Sequence, residues 1–353
     1  MSRGEHLEKI RDERAAPRSN GPAGWAPGKV ILFGEYAALT GGRTVVAAVD
    51  RGVSCWRRTA TDCIVEGVGF GRSIWRGGDW EGAALPFAAA ALEALGHPSG
   101  DFLLDSEAFQ LTLSSGRRMK LGLGSSAAST VALIEAASEI QLSPRALFKI
   151  ARDAHFLAQG RLGSGADIAA SAWGGLSLYQ RGGDHSEAQR RGLPLLPDLL
   201  FAWTGVSADT RELVRAVEAW GRSQPAQHRA ILGELEALAG YAEDAIQAND
   251  LVSIEALVNE GARALRALSQ ASNTPLWIDA HSALARHAAA VGVSIKPTGA
   301  GGGDLVWLYS ADQERLTALT ERLTAEGFEL LSLPLAPERT HHRSRVEERE
   351  SSL

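Results

Sequence analysis

Apolar positions along the chain follow two periods, one typical of strands and one typical of helices. Residues 30–33 and 45–54 are apolar and rich in β-branched side chains, which predicts two strands. Residues 126–140 are rich in alanine, and residues 145–159 repeat apolar side chains at helical spacing, which predicts two helices. The apolar face of the second helix consists of Leu147, Ile150, Ala151, Ala154, Leu157 and Ala158.

The second half of the chain is dominated by helical periodicity. Residues 209–291 carry an almost continuous helical pattern, with breaks near 223–227 and 273–275. Further strands are predicted at 176–179, 199–203, 305–309 and 328–333, and a helix at 314–326. Strands and helices intermix without a regular βαβ alternation, so the pattern favours an α+β fold over a doubly wound sheet.

The length of 353 residues is typical of two domains rather than one. We predict a first domain over residues 22–190 and a second over 191–339, joined near the glycine- and proline-containing stretch 182–197. Residues 1–21 and 340–353 are polar or charged and lack a packing pattern, which predicts a flexible N-terminal extension and a charged tail.

Composition narrows the classes of function. The formal net charge is −6, so no general positive field would attract nucleic acid or a membrane surface. No apolar run approaches the roughly 20 residues of a membrane helix, and the mixed-charge N-terminus is unlike a secretory signal. Cys55 and Cys63 lack metal-ligand spacing, which fits a reducing cytoplasm. We therefore expect a cytoplasmic protein that binds any anionic substrate through local positive charge.

The first of three glycine-rich segments, residues 26–36, has the sequence APGKVILFGEY. A Pro-Gly-Lys turn leads into a short apolar strand, and a Gly-Glu step ends that strand. An ordinary β-turn explains the proline and the glycine. It does not explain a lysine at the start of the strand, Lys29, together with a carboxylate at its far end, Glu35.

The second glycine-rich segment, residues 120–128, has the sequence KLGLGSSAA and runs directly into the alanine-rich helix. Glycines let a phosphate approach the backbone, and the helix N-terminus offers N–H groups to it. A serine N-cap would explain one serine but not the Gly-Leu-Gly before it. The lysine of a Walker A loop does not follow these glycines. The predicted ATP-binding residues are Lys120, Gly122, Leu123, Gly124, Ser125, Ser126 and Ala127.

The third glycine-rich segment, residues 296–304, has the sequence KPTGAGGGD and precedes a predicted strand. Its glycines allow positive φ angles and a close approach of the backbone to a ligand. A flexible linker is the alternative interpretation, although linkers rarely lie between a helix and a core strand. Each segment is ambiguous alone, whereas the three together predict a phosphate-binding site.

In this order, the three segments resemble the three motifs of the GHMP kinases, the family of galactose, homoserine, mevalonate and phosphomevalonate kinases. The resemblance extends from Trp25 to about Leu333, and residues 122–128 are its most specific part. It implies a two-domain α+β fold, with an N-terminal domain like a ribosomal-protein fold and a ferredoxin-like, helical C-terminal domain. It also implies that ATP, with Mg²⁺ as cofactor, meets a small anionic acceptor in the cleft between the domains.

Three further stretches are similar to the phosphomevalonate kinase branch of that family. They are residues 159–169 (QGRLGSGADIA), residues 203–210 (WTGVSADT) and the Lys-Pro-Thr start of the third segment. This resemblance implies transfer of the ATP γ-phosphoryl group to 5-phosphomevalonate in the mevalonate route to isoprenoids. The alternatives are a kinase that phosphorylates an alcohol such as mevalonate or a sugar, a diphosphomevalonate decarboxylase, and a catalytically silent binding protein.

The resemblance implies roles for individual residues. Lys29 approaches the transferred phosphate and Asp167 lies beside the acceptor, so these two are the expected catalytic residues. Ser126 is the expected protein ligand of Mg²⁺. The expected substrate-binding residues are Arg161, Ser164, Gly165, Lys296, Thr298, Gly299, Ala300 and Gly301.

Several of these roles have alternatives. Arg161 and Lys296 would bind the acceptor's phosphate, but either could be an ordinary surface charge. Asp167 is followed by Ile-Ala-Ala-Ser, so it also fits the start of a helix. Mevalonate kinases carry a glutamate ligand of Mg²⁺ upstream of the Gly-Ser-Gly loop, where this chain has His155 and no carboxylate. Because imidazole is a poor ligand for Mg²⁺, the sequence does not define a second protein ligand.

Overall fold

The computed structural model describes residues 21–339, apart from residues 69, 113–115, 117, 162 and 183–187. The predicted charged tail and, except for Gly21, the predicted N-terminal extension lie outside the described residues. Part of the predicted domain junction, residues 183–187, lies outside them as well.

The described part of the first half forms strands that belong to one large sheet and one small hairpin. The strands are β1 (Gly24–Phe33), β2 (Thr44–Arg58), β3 (Cys63–Gly67), β4 (Gly71–Arg76), β5 (Asp79–Gly82), β6 (Gly100–Asp105), β7 (Gln110–Thr112), β8 (Arg118–Lys120), β9 (Leu176–Arg181) and β10 (Ala188–Leu193). Eight of them form a sheet in the order β10-β9-β2-β6-β3-β4-β5, with β1 paired to β2. The remaining pair, β7 and β8, is a hairpin that leads into the second glycine-rich segment.

Four helices of the first half pack on this sheet or on one another. They are α1 (Pro86–Glu93), α2 (Ser125–Ala137), α3 (Pro144–Ala158) and α4 (Ala166–Trp173). Helices α2 and α4 lie against β1 and β2, and α3 packs on α1, α2 and α4. Gly24 of β1 permits a very close approach of α2 to this strand, because a β-carbon at Gly24 would lie 2.1 Å from the Ala132 carbonyl oxygen.

The second half forms a four-stranded antiparallel sheet and five described helices. The elements are β11 (Leu199–Trp203), α5 (Thr210–Ser223), α6 (Pro225–Gln247), α7 (Leu251–Ser272), α8 (Asp279–Ala289), β12 (Ser294–Pro297), β13 (Leu305–Tyr309), α9 (Gln313–Ala325) and β14 (Leu330–Leu333). The strand order is β12-β13-β11-β14. The long helical prediction missed one break, at residues 248–250, where the Asp250 side chain accepts a hydrogen bond from the Ser253 amide at 3.0 Å and caps α7.

The two sheets share one continuous apolar core. Phe33 of β1 meets Trp307 of β13 edge to face, with ring centroids 5.9 Å apart, and both side chains are buried. The predicted boundary between residues 190 and 191 falls inside β10, and the division at that point stays a prediction. In the part of the chain described here, no helix is long and apolar enough to cross a bilayer.

Candidate active site

A cleft of about 370 Å³ brings the three glycine-rich segments together. The predicted residues that line it are Lys29, Lys120, Gly122, Leu123, Gly124, Ser125, Ser126, Ser164, Asp167, Gly299 and Ala300. Six predicted residues lie outside the lining, namely Ala127, Arg161, Gly165, Lys296, Thr298 and Gly301. Segments more than 80 residues apart in sequence thus converge at one place, as a shared phosphate-binding role requires.

The second glycine-rich segment enters α2 through left-handed glycines. Gly122 has a φ of 70° and Gly124, the N-cap of α2, a φ of 76°, a conformation that side chains of L-residues disfavour. No side chain caps this helix, so the interpretation of a serine as the N-cap is wrong. Ser125 and Ser126 instead occupy the first turn and line the cleft. A glycine-bordered helix N-terminus of this kind suits an anion.

Lys29 lies against this loop. Its backbone amide donates to the Leu123 carbonyl oxygen at 2.9 Å, and its ammonium lies 3.4 Å from the Gly122 carbonyl oxygen. A β-carbon at Gly124 would approach the Lys29 side chain to 3.1 Å, so the glycine makes room for the lysine. Burial lowers the pKa of Lys29, whereas the carboxylates of Asp167 and Asp304 act in the opposite direction.

Asp167 lies in the first turn of α4, behind a glycine cap. The N-cap is Gly165, with a φ of 81°, so Asp167 is a first-turn residue rather than the cap. One carboxylate oxygen accepts the Ile168 amide at 2.9 Å, and a carboxylate at this position is favoured by the helix dipole. The other oxygen lies 4.0 Å from His155 Nε2, so both helices α3 and α4 contribute to this wall of the cleft.

His155 is a buried residue between Ser126, the expected ligand of Mg²⁺, and Asp167, the carboxylate expected beside the acceptor. Its Nε2 lies 3.1 Å from Ser126 Oγ and 3.3 Å from Gln159 Nε2, and its ring stacks on Phe87. Burial is the main cause that lowers the pKa of His155, partly opposed by Asp167. His155 therefore contacts the expected metal ligand while its neutral form is favoured.

Three charged residues that line the cleft, Glu35, Arg211 and Asp304, were not predicted as site residues from the sequence. Arg211 lies in the first turn of α5, with its guanidinium 5.7 Å from the centre of the Phe87 ring. Asp304 ends the third segment with a φ of 53°, and its carboxylate accepts the Ala208 amide at 3.3 Å. Burial raises the pKa of Asp304, against the influence of this hydrogen bond and of Lys29. A carboxylate directly after a glycine run was the available indication for Asp304, whereas nothing local distinguished Arg211.

Comparison with known proteins gives a family. The GHMP kinase N-terminal domain matches residues 86–175. A phosphomevalonate kinase of Streptomyces sp. (strain CL190) is 30% identical over 88% of this chain and 96% of its own length. A mevalonate kinase of Thermococcus onnurineus is 28% identical over 86% of this chain and 92% of its own.

The chain belongs to the GHMP kinase family. The Streptococcus pneumoniae phosphomevalonate kinase, solved in complex with phosphomevalonate and AMPPNP, superposes with a TM-score of 0.72. That alignment covers 88% of this chain and 98% of the other at 18% identity, and it confirms the expected two-domain α+β GHMP kinase fold. The relatives of this chain include both mevalonate kinases and phosphomevalonate kinases. They agree on the family and on the kinase class, but they differ in the acceptor that is phosphorylated.

Lys296 and Arg161 are the two expected phosphate-binding cations that the fold keeps out of the GHMP cleft. The Lys296 side chain is completely buried, and its ammonium forms an ion pair with Glu35. Contrary to the expectation from the sequence, Lys296 is therefore not exposed to a substrate in the cleft. Burial raises the pKa of Glu35, and the charge of Lys296 opposes this shift. Burial lowers the pKa of Lys296, and the charge of Glu35 opposes this shift. Arg161 is exposed, with a φ of 65°, and does not line the cleft.

Oxygen ligands for Mg²⁺ are few in the cleft. Among the described residues, no group of three or more His, Cys, Asp or Glu side chains could hold a metal ion. Ser126 and Asp167 nevertheless both line the cleft and both lie near the same nitrogen of His155. A hydroxyl and a carboxylate fit Mg²⁺, which usually takes one or two protein ligands and completes its shell with phosphates and water.

Proposed function

We propose that this GHMP kinase transfers the γ-phosphoryl group of ATP to the phosphate group of 5-phosphomevalonate, giving ADP and 5-diphosphomevalonate. The observation that carries the proposal is the set of three cations that line one cleft of a net-acidic chain, Lys29, Lys120 and Arg211. The carboxylates of Glu35, Asp167 and Asp304 line it as well, and that of Glu35 is already paired with Lys296. Mevalonate brings only its carboxylate to the site, whereas its 5-phosphate adds about two further negative charges that such cations balance.

The nucleotide occupies the end of the cleft formed by the second segment. The start of α2 and the left-handed glycines hold the phosphates through backbone N–H groups. Ile31, Phe70 and Phe109 line the same cleft and provide an apolar surface for the base. Ser126 and Asp167 would hold Mg²⁺ together with the nucleotide, and the ion would neutralise charge on the ATP phosphates.

The acceptor occupies the end formed by α4, α5 and the third segment. This end is lined by Ser164 from the loop before α4, Arg211 from α5 and Ala300 from the third segment. The first turn of α5 presents Thr210 and Arg211 together, so a positive side chain and a helix N-terminus face the same region. This end suits a phosphate group carried on a small polar molecule.

The chemistry needs little from the protein beyond position and charge. An oxygen of the acceptor phosphate forms a bond to the γ-phosphorus while the bond from that phosphorus to the β,γ-bridging oxygen breaks, and ADP leaves. A phosphate monoester is largely dianionic at neutral pH, so no base has to remove a proton. Lys29 offsets the charge of the transferred group, and Asp167 orients Lys29.

Phosphorylation of an alcohol, as by a mevalonate kinase, is the second candidate function. The observation in its favour is Asp167, a carboxylate in the cleft whose charge acts on Lys29, because such a carboxylate could accept a hydroxyl proton.

An acceptor panel separates the two functions. ADP release is measured with Mg·ATP and 5-phosphomevalonate, mevalonate, galactose or homoserine, and CO₂ release is followed with 5-diphosphomevalonate. We expect turnover with 5-phosphomevalonate at least about 100-fold more efficient than with mevalonate, as the loss of two charged contacts predicts. Efficient turnover of mevalonate without turnover of its phosphate would refute the proposal, and CO₂ release would indicate a decarboxylase.

A further inference from the structure

A buried ion pair joins the first and third glycine-rich segments. Lys296 lies on β12 and Glu35 lies two residues after the end of β1, and their side chains are 0% and 2% exposed. The Lys296 ammonium donates to the Glu35 carboxylate and, at 3.1 Å, to the Pro297 carbonyl oxygen. An unpaired charge at such a depth is strongly unfavourable, so each group holds the other in place.

A second contact joins the same two segments a few residues away. The Tyr36 hydroxyl donates to the Ala300 carbonyl oxygen at 2.8 Å. Tyr36 has a φ of 52° and a ψ of −41°, and a positive φ is uncommon for a bulky residue. Two neighbouring residues of the first segment therefore bind the third segment on both sides of residues 297–299.

The stretch held between these contacts includes Gly299, a residue of the third segment that lies close to Lys29. Gly299 and Ala300 line the cleft, and a β-carbon at Gly299 would lie 3.9 Å from Lys29 Nζ. Lys29 belongs to the same first segment as Glu35 and Tyr36. Fixing the third segment on this pair of residues therefore also fixes its distance from Lys29.

Stability alone is a weak reason for such a pair. Apolar side chains of similar volume often replace a buried ion pair without loss of stability, but they do not impose its directional geometry. We propose that Glu35, Lys296 and Tyr36 form a latch that sets the position of the third segment relative to Lys29, and that they act as positioning residues for phosphoryl transfer. The latch serves any acceptor, so this inference does not depend on the acceptor proposed above.

The test compares the double variant Glu35→Gln/Lys296→Met with the wild type, using the full chain, Mg·ATP and whichever of 5-phosphomevalonate and mevalonate the wild type phosphorylates. The double variant leaves no unpaired charge, so its unfolding temperature stays within about 5 °C of the wild type. We expect kcat to fall at least about tenfold while the KM for ATP changes less than about threefold, because the second segment still holds the phosphates.

Glu243→Gln is the matched control. Glu243 is another buried carboxylate, on α6, and it pairs with Arg191 away from the cleft. Its removal should affect stability and leave kcat unchanged. A folded double variant with kcat within about twofold of the wild type would overturn the latch.

If the double variant does not fold, the single variant Tyr36→Phe tests the proposed latch instead. This change removes one hydroxyl and keeps the ion pair, so the protein should unfold at its normal temperature. We expect kcat to fall about threefold or more, as the loss of one hydrogen bond implies. Wild-type kcat in Tyr36→Phe would overturn the proposal.

Discussion

In the proposed function, the nucleotide end of the cleft is built from backbone, whereas the acceptor end is built mainly from side chains. At the nucleotide end, the second segment alone supplies left-handed glycines and the start of α2. At the acceptor end, Ser164, Arg211 and Ala300 come from parts of the chain that lie far apart in sequence. A site made of contiguous backbone keeps one geometry for one ligand, phosphate. A site made of scattered side chains can change its substrate by changing one residue.

This difference explains why the relatives agree on the family and differ in the acceptor. The glycines and serines of the second segment carry the shared phosphate chemistry, and both a phosphomevalonate kinase and a mevalonate kinase match this chain over most of its length. Discrimination between their acceptors would depend on a few charges, such as Arg211, rather than on the fold. The following variants separate the two ends.

Lys29→Met should have the largest effect, because Lys29 lies between both ends. We expect kcat to fall about 100- to 1,000-fold, as for other losses of a charge that stabilises the transition state, with little change in unfolding temperature. Steady-state kinetics with saturating ATP and acceptor measures this effect. Lys149→Met, an exposed lysine on α3, is the control and should behave like the wild type. Normal kcat in Lys29→Met would remove Lys29 from the transfer step.

Gly124→Val should disable the nucleotide end alone. The new side chain would meet the Lys29 side chain at 3.1 Å and disfavour the left-handed cap of α2. We expect calorimetry to show Mg·ATP affinity reduced at least about 100-fold, because several charge-assisted hydrogen bonds are lost.

Gly96→Val is the control for the backbone strain of this change. Gly96 is equally left-handed, with a φ of 73°, and its β-carbon would have no atom within 4 Å. Both variants should lose similar stability, and only Gly124→Val should lose ATP binding. Undiminished affinity in Gly124→Val would mean that this segment does not hold the nucleotide.

Arg211→Ala should disable the acceptor end alone. The loss of a charged contact predicts an increase of about 10- to 100-fold in the KM for 5-phosphomevalonate, with the KM for ATP unchanged. Arg215→Ala is the control, because Arg215 lies one turn later on α5, is exposed and does not line the cleft. It should leave both KM values unchanged. Equal effects of Arg211→Ala on both substrates would contradict the division into two ends.

Asp167→Asn should have the smallest effect, because a phosphate acceptor has no proton to lose and the asparagine amide keeps an oxygen that can bind Mg²⁺. We expect kcat with 5-phosphomevalonate to fall less than about tenfold, whereas loss of a general base for an alcohol costs about 100- to 10,000-fold. Asp153→Asn, on the exposed face of α3, provides the comparison for a removed carboxylate. Near-total loss of activity in Asp167→Asn would favour an alcohol acceptor.

Most of the architecture could be predicted because it follows local rules. Strands β11 and β13 begin and end at the predicted residues, and α2, α3 and α9 differ from prediction by three residues or fewer at either end. Period, capping residues and glycine placement act over a few residues, so the sequence displays them directly. The three glycine-rich segments could be found for the same reason, and they line the same cleft.

The sequence by itself determined the family and the α+β fold and located the three glycine-rich segments, because each depends on neighbouring residues or on recognisable motifs. Only the tertiary structure decided which charges face the cleft. Lys29 and Lys296 both lie in glycine-rich segments, yet one lines the cleft and the other is buried against Glu35, 261 residues away. Arg211 enters the cleft because α5 packs beside it, which no local pattern expresses. A side chain's burial and partner depend on contacts between distant segments, and those contacts exist only once the chain has folded.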